Sequence, residues 1–81
     1  IEGVDCLYHE ATFLHEDLER AKETLHSTAL QAATIASKAN VKKLILGHFS
    51  ARYRNLFLFK EEAQKIFKNT MIAKDGEIFE W

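Results

Sequence analysis

Two short stretches of this 81-residue chain carry the residue types that do phosphate and metal chemistry: His26-Ser27-Thr28 and Gly47-His48-Phe49-Ser50-Ala51-Arg52-Tyr53. A long alanine-rich stretch separates them. The first places a histidine at a helix start, where N–H groups and the positive dipole end favour a bound phosphate or carboxylate. The second places a histidine just after an apolar run that reads as a strand. Ligands of open α/β sheets bind outside the carboxyl ends of strands, so His48 is a candidate metal ligand or acid/base. A loop histidine bonded to a backbone carbonyl fits the same position, and a bland capping neighbour fits His26.

A third histidine stands in His9-Glu10-Ala11-Thr12, after another apolar run. A carboxylate beside an imidazole sets its tautomer and raises its basicity. Glu10 reaches His26 if the two apolar runs are neighbouring strands; otherwise His9 and Glu10 are a solvated loop pair. His15 reads as a surface residue. The histidine spacing holds no H-x-H, H-x-x-x-H or C-x-x-C pair, so the chain does not contain a complete zinc site by itself. Its three glycines are scattered and form no phosphate cradle. Ser27, Thr28 and Ser50 lack a nucleophile's setting and are read as cap or phosphate-contact residues. Cys6, the sole cysteine, excludes an internal disulfide, fits a reducing compartment and is expected to be buried.

The elements that must position these groups follow from periodicity. Val4 to Tyr8 reads as a buried strand and His9 to His15 as a loop. Glu16 to Leu25 reads as a helix, with Leu18, Ala21 and Leu25 on one face and a Glu16–Arg20 pair. Thr28 and Gln31 form a capping box for a helix over Ala29 to Ala39, and Asn40 is a left-handed stop. Five alanines in that helix allow close approach of another backbone. Val41 to Gly47 reads as a buried strand, and Phe59 to Phe67 as a helix with Phe59, Ala63 and Ile66 inward. Thr70 to Ala73 and Glu77 to Trp81 read as strands of a hairpin turning at Asp75-Gly76. The order strand, helix, helix, strand, helix, strand, strand predicts an α/β fold with parallel strands.

Eighty-one residues make one domain or less, and no linker divides residues 1–81. The chain opens at Ile1 without an initiator methionine, which suggests a piece of a longer protein. A hydrophobic content of 47% and a charged content of 28% argue against disorder. No apolar run spans a bilayer and no signal peptide is visible. Residues 1–37 hold two basic and seven acidic residues (−5), whereas residues 38–81 hold nine and five (+4). Lys38, Lys42, Lys43, Arg52 and Arg54 share a stretch without an acid. That patch suits a polyanion, or keeps a strand soluble.

Taken together, Tyr8-His9-Glu10-Ala11-Thr12-Phe13, His26-Ser27-Thr28-Ala29 and Gly47-His48-Phe49-Ser50-Ala51-Arg52-Tyr53 resemble three motifs of the ribonuclease Z (tRNase Z) family, in that family's order and spacing. The resemblance implies the C-terminal portion of a metallo-β-lactamase αββα sandwich. It implies a cytoplasmic, homodimeric endoribonuclease that removes the 3′ trailer from precursor tRNA with two zinc ions and an activated water. By the same resemblance, His48 is a zinc ligand, His26 sits near the scissile phosphate and Glu10 orients His26. Ser50, Arg52 and Tyr53 lie beside the site, with Arg52 facing RNA phosphate. The family's His-x-His-x-Asp-His motif, its other upstream histidine, its aspartate ligand and its tRNA-gripping arm are absent. The missing N-terminal portion must supply them, and the isolated chain is expected to neither hold two zincs nor cut RNA. Two other readings stand beside this one: a non-catalytic half-fold that associates or swaps with another copy, and a different hydrolase of the same superfold.

Overall fold

A computed structural model describes residues 5–73 together with the strand Ile78–Phe79. The elements are β1 (Cys6–Glu10), a 3-10 turn (His15–Asp17), α1 (Leu18–Glu23), α2 (Ala29–Ala39), β2 (Lys43–Gly47), β3 (Phe49–Ser50), α3 (Phe57–Gln64), β4 (Thr70–Ile72) and β5 (Ile78–Phe79). Two parallel sheets result, one in the order β1-β2-β4 and one of β3 with β5. The expected mixed α/β architecture with parallel strands is present.

Local chemistry explains α2. Thr28 accepts the Gln31 N–H, and the Gln31 side chain accepts the Thr28 N–H, so the capping box is closed. Asn40 ends the helix at φ 57°, ψ 41°, a left-handed geometry that asparagine tolerates. Ala29, Ala32, Ala33 and Ala36 are all fully buried and lie on one helical face. They bring the helix close to Leu44 and Leu46 of β2, which share the same core. Phe59 and Ala63 of α3 join it, and the Phe49 and Phe59 rings meet edge to face with centroids 4.7 Å apart.

The opposite sheet face is open. Tyr8, Ile45 and Met71 stand in register across the three strands. Tyr8 is 51% and Met71 46% exposed. Parallel sheets are normally covered on both faces, and among the described residues nothing covers this row.

Several expectations change. Thr70–Ile72 and Ile78–Phe79 lie in different sheets and do not pair as a hairpin; the Asp75-Gly76 turn lies outside the described residues. Phe49–Ser50 forms a short strand where a loop was expected. Cys6 is exposed, because it alternates with Tyr8 on the open face of β1. Leu25 is 92% exposed and Ile66 47%. Both lie past the ends of their helices, Glu23 and Gln64, so the apolar period no longer points them inward. Glu10 and His9 belong to β1 itself rather than to the loop after it.

Candidate active site

The site forms where β1 and β2 end side by side. Glu10 pairs with Gly47 in the parallel register, so the next residues of both strands leave the sheet at one point. The Ala11 N–H donates to the Gly47 carbonyl at 2.9 Å, which extends the pairing into the loop. That loop is then tied to the start of α2. Phe13 and Thr28 form a parallel bridge, with the Phe13 N–H to the Ser27 carbonyl at 3.3 Å and the Ala29 N–H to the Phe13 carbonyl at 3.0 Å. The Ser50 N–H donates to the Thr12 carbonyl at 3.0 Å. Three loops distant in sequence are thus bound by their backbones.

His48 takes a left-handed φ of 60°. For a residue with a Cβ this costs about 1–2 kcal/mol, and such strain gathers at functional sites. The bend redirects the chain from β2 into β3, a strand of the other sheet. Leu25, also at φ 60°, performs a similar service for His26. The His26 N–H reaches the Ala21 carbonyl at 2.8 Å and the Leu25 N–H reaches that of Lys22 at 3.3 Å. This pair of bonds is a Schellman closure of α1, and it delivers the chain to His26.

At the junction the side chains converge on Thr12, which is fully buried. Its hydroxyl lies 2.6 Å from Glu10 Oε2, 2.9 Å from His48 Nδ1 and 3.2 Å from His26 Nδ1. The His26 and His48 rings stack with centroids 5.2 Å apart and planes 28° from parallel. His26 Nδ1 is 3.5 Å from Glu10 Oε2. Glu10 also accepts the N–H groups of Thr12 and Ser27. Burial alone would push the Glu10 carboxyl up, but the bonds from Thr12 and Ser27 outweigh it and hold the carboxyl below its usual 4.5. Glu10 is therefore a carboxylate at neutral pH.

Ligand atoms of Glu10, His26 and His48 lie within 4.8 Å of one another. Both Glu10 oxygens already accept hydrogen bonds, and both Nδ1 atoms face Thr12. Among the described residues, Glu10, His26 and His48 are the group that could hold a metal ion. His9 does not join the cluster; its Nδ1 lies 2.7 Å from the Glu10 carbonyl.

The remaining sequence-read residues hold the loops. Thr28 and Ser50 are fully buried. Thr28 caps α2 and its hydroxyl lies 3.0 Å from His15 Nδ1, so His15 is a half-buried support rather than a bare surface residue. Ser50 accepts the Arg52 N–H at 3.3 Å. The Tyr53 hydroxyl accepts the Leu14 N–H at 3.1 Å and donates to Asp17. Burial, then the bond to Asp17, push the Tyr53 pKa up to about 12. Arg52 Nη1 is 3.7 Å from Asp17, and its guanidinium lies over the Phe13 ring.

The start of α2 proves to be filled from within. The N–H groups of Ser27, Thr28, Ala29, Leu30 and Gln31 all donate to protein acceptors. Sequence reading expected unpaired donors there. It missed Glu62, whose carboxylate accepts the N–H groups of His15 and Leu30, each at 3.0 Å. It also missed Thr12 and Asp17. Thr12 carried one usable signal, a hydroxyl two residues after a carboxylate; Asp17 and Glu62 carried none. A cleft of about 420 Å³ opens beside His26, lined in part by Ser27, Leu30 and Gln31.

No protein-family model matches the chain. Among curated proteins, it is 60% identical over 76 residues to ribonuclease Z of Parabacteroides distasonis, covering 94% of this chain and 25% of that protein. It is 63% identical over 78 residues to ribonuclease Z of Azobacteroides pseudotrichonymphae, covering 96% of this chain and 27% of that protein. The chain matches a C-terminal part of ribonuclease Z. It spans about a quarter of the length of these ribonuclease Z relatives. A solved structure, the metallo-beta-lactamase fold protein YhfI from Bacillus subtilis, superposes with a TM-score of 0.82 at 28% identity. That match covers 93% of this chain and 30% of YhfI, so the segment has the architecture of part of a metallo-β-lactamase fold. Among the described residues, no helix is long and apolar enough to cross a membrane.

Proposed function

We propose that this segment supplies the proton-handling side and one metal ligand of a zinc-dependent endoribonuclease that removes the 3′ trailer from precursor tRNA. The observation that carries this is the gathering of Glu10, His26 and His48 around Thr12 at the carboxyl ends of paired strands. The ribonuclease Z relatives support the substrate class.

In this reading His48 holds zinc through Nε2, and the N-terminal portion of the same polypeptide brings the other ligands. Bound zinc supplies Lewis-acid polarisation and a lowered pKa for the attacking water. His26 acts from Nε2 as the acid that gives a proton to the leaving oxygen, an effect worth roughly 10²–10⁴-fold. The Glu10 carboxylate, 3.5 Å from His26 Nδ1, orients the ring. Ser27 and Arg52 face the RNA phosphates, while Thr28, Ser50 and Tyr53 hold the loops that present them. Arg52 offers a planar fork suited to phosphate. The enzyme works in the cytoplasm as a homodimer, and the open Tyr8–Ile45–Met71 row is covered by the N-terminal portion. That same row favours a second reading, in which the segment alone associates with another copy of itself.

The test uses the full-length protein carrying this segment. His48→Ala should lose bound zinc, whereas His26→Ala should lower precursor-tRNA turnover and keep near wild-type zinc. Full zinc in His48→Ala, or a large zinc loss in His26→Ala, would overturn the assignment.

A further inference from the structure

The Thr12 hydroxyl has one hydrogen and two lone pairs, and three groups compete for them. It donates to Glu10 Oε2 at 2.6 Å. An ionised carboxylate only accepts, so the single hydrogen is committed there. The Thr12 oxygen can then only accept from the two imidazoles that face it. His48 Nδ1 lies at 2.9 Å and His26 Nδ1 at 3.2 Å. His26 Nδ1 also looks onto Glu10 Oε2 at 3.5 Å, a second pure acceptor. Each Nδ1 must therefore carry a hydrogen.

We infer that Thr12 is a positioning residue that fixes His26 and His48 together in the Nδ1–H tautomer through one hydroxyl. The inference rests on the nuclease reading only for its consequence. Nε2 becomes the lone-pair nitrogen of both rings, suited to bind a metal on His48 and to exchange a proton on His26. The orientation propagates from the Glu10 carboxylate, through one hydroxyl hydrogen, to two rings in different loops. Because Thr12 is fully buried and its own N–H is held by the same carboxylate, the hydroxyl cannot turn away without abandoning Glu10.

The experiment reads ring-nitrogen NMR signals in the metal-free full-length protein, where zinc cannot impose the tautomer. Wild type and Thr12→Ser should both show hydrogen on Nδ1 of His26 and His48. Thr12→Val, which keeps the volume and removes the hydroxyl, should lose that bias and weaken zinc binding roughly 10–100-fold, as loss of an outer-sphere partner does. Thr12→Ser should restore zinc affinity. A bare Nδ1 on either ring in the wild type, or an unchanged tautomer and zinc affinity in Thr12→Val, would overturn the inference. If Thr12→Val does not fold, the wild type and Thr12→Ser decide. The tautomer readout needs neither zinc nor RNA, so it fails separately from the nuclease reading, which the zinc content of His48→Ala decides.

Discussion

The Glu10 carboxylate accepts the backbone N–H of Ser27, seventeen residues further along the chain and directly after His26. A side chain at the end of a strand thereby fixes the loop that presents the neighbouring imidazole. Hydrogen bonds from Thr12 and Ser27 hold the Glu10 carboxyl below its usual 4.5, against the opposing effect of burial. A carboxyl with a depressed folded pKa contributes stability above its unfolded pKa and loses it as pH falls through the folded value. The acid limb of stability should therefore be steeper in the wild type than in Glu10→Gln. Urea midpoints measured from about pH 6 down to about pH 2.5 check this. Parallel acid limbs would show that Glu10 does not carry the effect.

Glu62 joins α3 to the start of α2 by accepting the N–H groups of His15 and Leu30. A carboxylate at a helix N-terminus also meets the positive end of the dipole. Glu62→Ala leaves those donors without an acceptor, which should cost about 1.5–3 kcal/mol. Glu62→Gln keeps one acceptor oxygen and should cost less. Chemical denaturation of the full-length variants measures both, and a neutral Glu62→Ala would sink the account.

How far the sequence reaches depends on how local the cause is. The Thr28–Gln31 box and the Asn40 stop act within a few residues, and the helix between them has the expected bounds. The site could be anticipated because Glu10 and His48 both end apolar strands, and strand ends converge in parallel sheets. Partner choice was not legible. Ile78–Phe79 pairs with the two-residue strand Phe49–Ser50, which is too short to show a period. Asp75-Gly76 carried a hairpin signal, but Thr70–Ile72 finds its partner in β2. Thr12 and Glu62 were missed because the groups they join across loops (His26 and His48 for Thr12, His15 and Leu30 for Glu62) lie 14 to 47 residues away, a distance that no local pattern encodes.

Leu25 marks a site where the local choice conflicts with the backbone. It holds φ 60° and is 92% exposed. A left-handed leucine costs about 1–2 kcal/mol, and glycine removes that strain while loosening the unfolded chain by about 0.4–1 kcal/mol. Leu25→Gly should therefore raise stability by about 0.5–1 kcal/mol. Its denaturant midpoint should shift upward at an unchanged slope. A lower midpoint would mean that the leucine side chain is held by a contact from the rest of the protein.

Arg52 is poised rather than committed. Its guanidinium is 3.7 Å from Asp17 and rests over Phe13, with its side chain 37% exposed. An ion pair this open contributes at most about 1 kcal/mol, so an RNA phosphate can compete for the guanidinium at little cost. Lys42 and Lys43 are exposed on the same basic stretch of sequence, but they stand at the start of β2, whereas Arg52 follows its end, where the site lies. Arg52→Ala should weaken precursor-tRNA binding and make the slope of log affinity against log salt shallower by about 1. Arg52→Lys should keep the slope and lose part of the affinity, because an ammonium retains the charge but not the fork. Filter binding of full-length protein across a salt series separates the two. An unchanged slope in Arg52→Ala would remove Arg52 from the RNA contacts and leave it as a brace for Asp17.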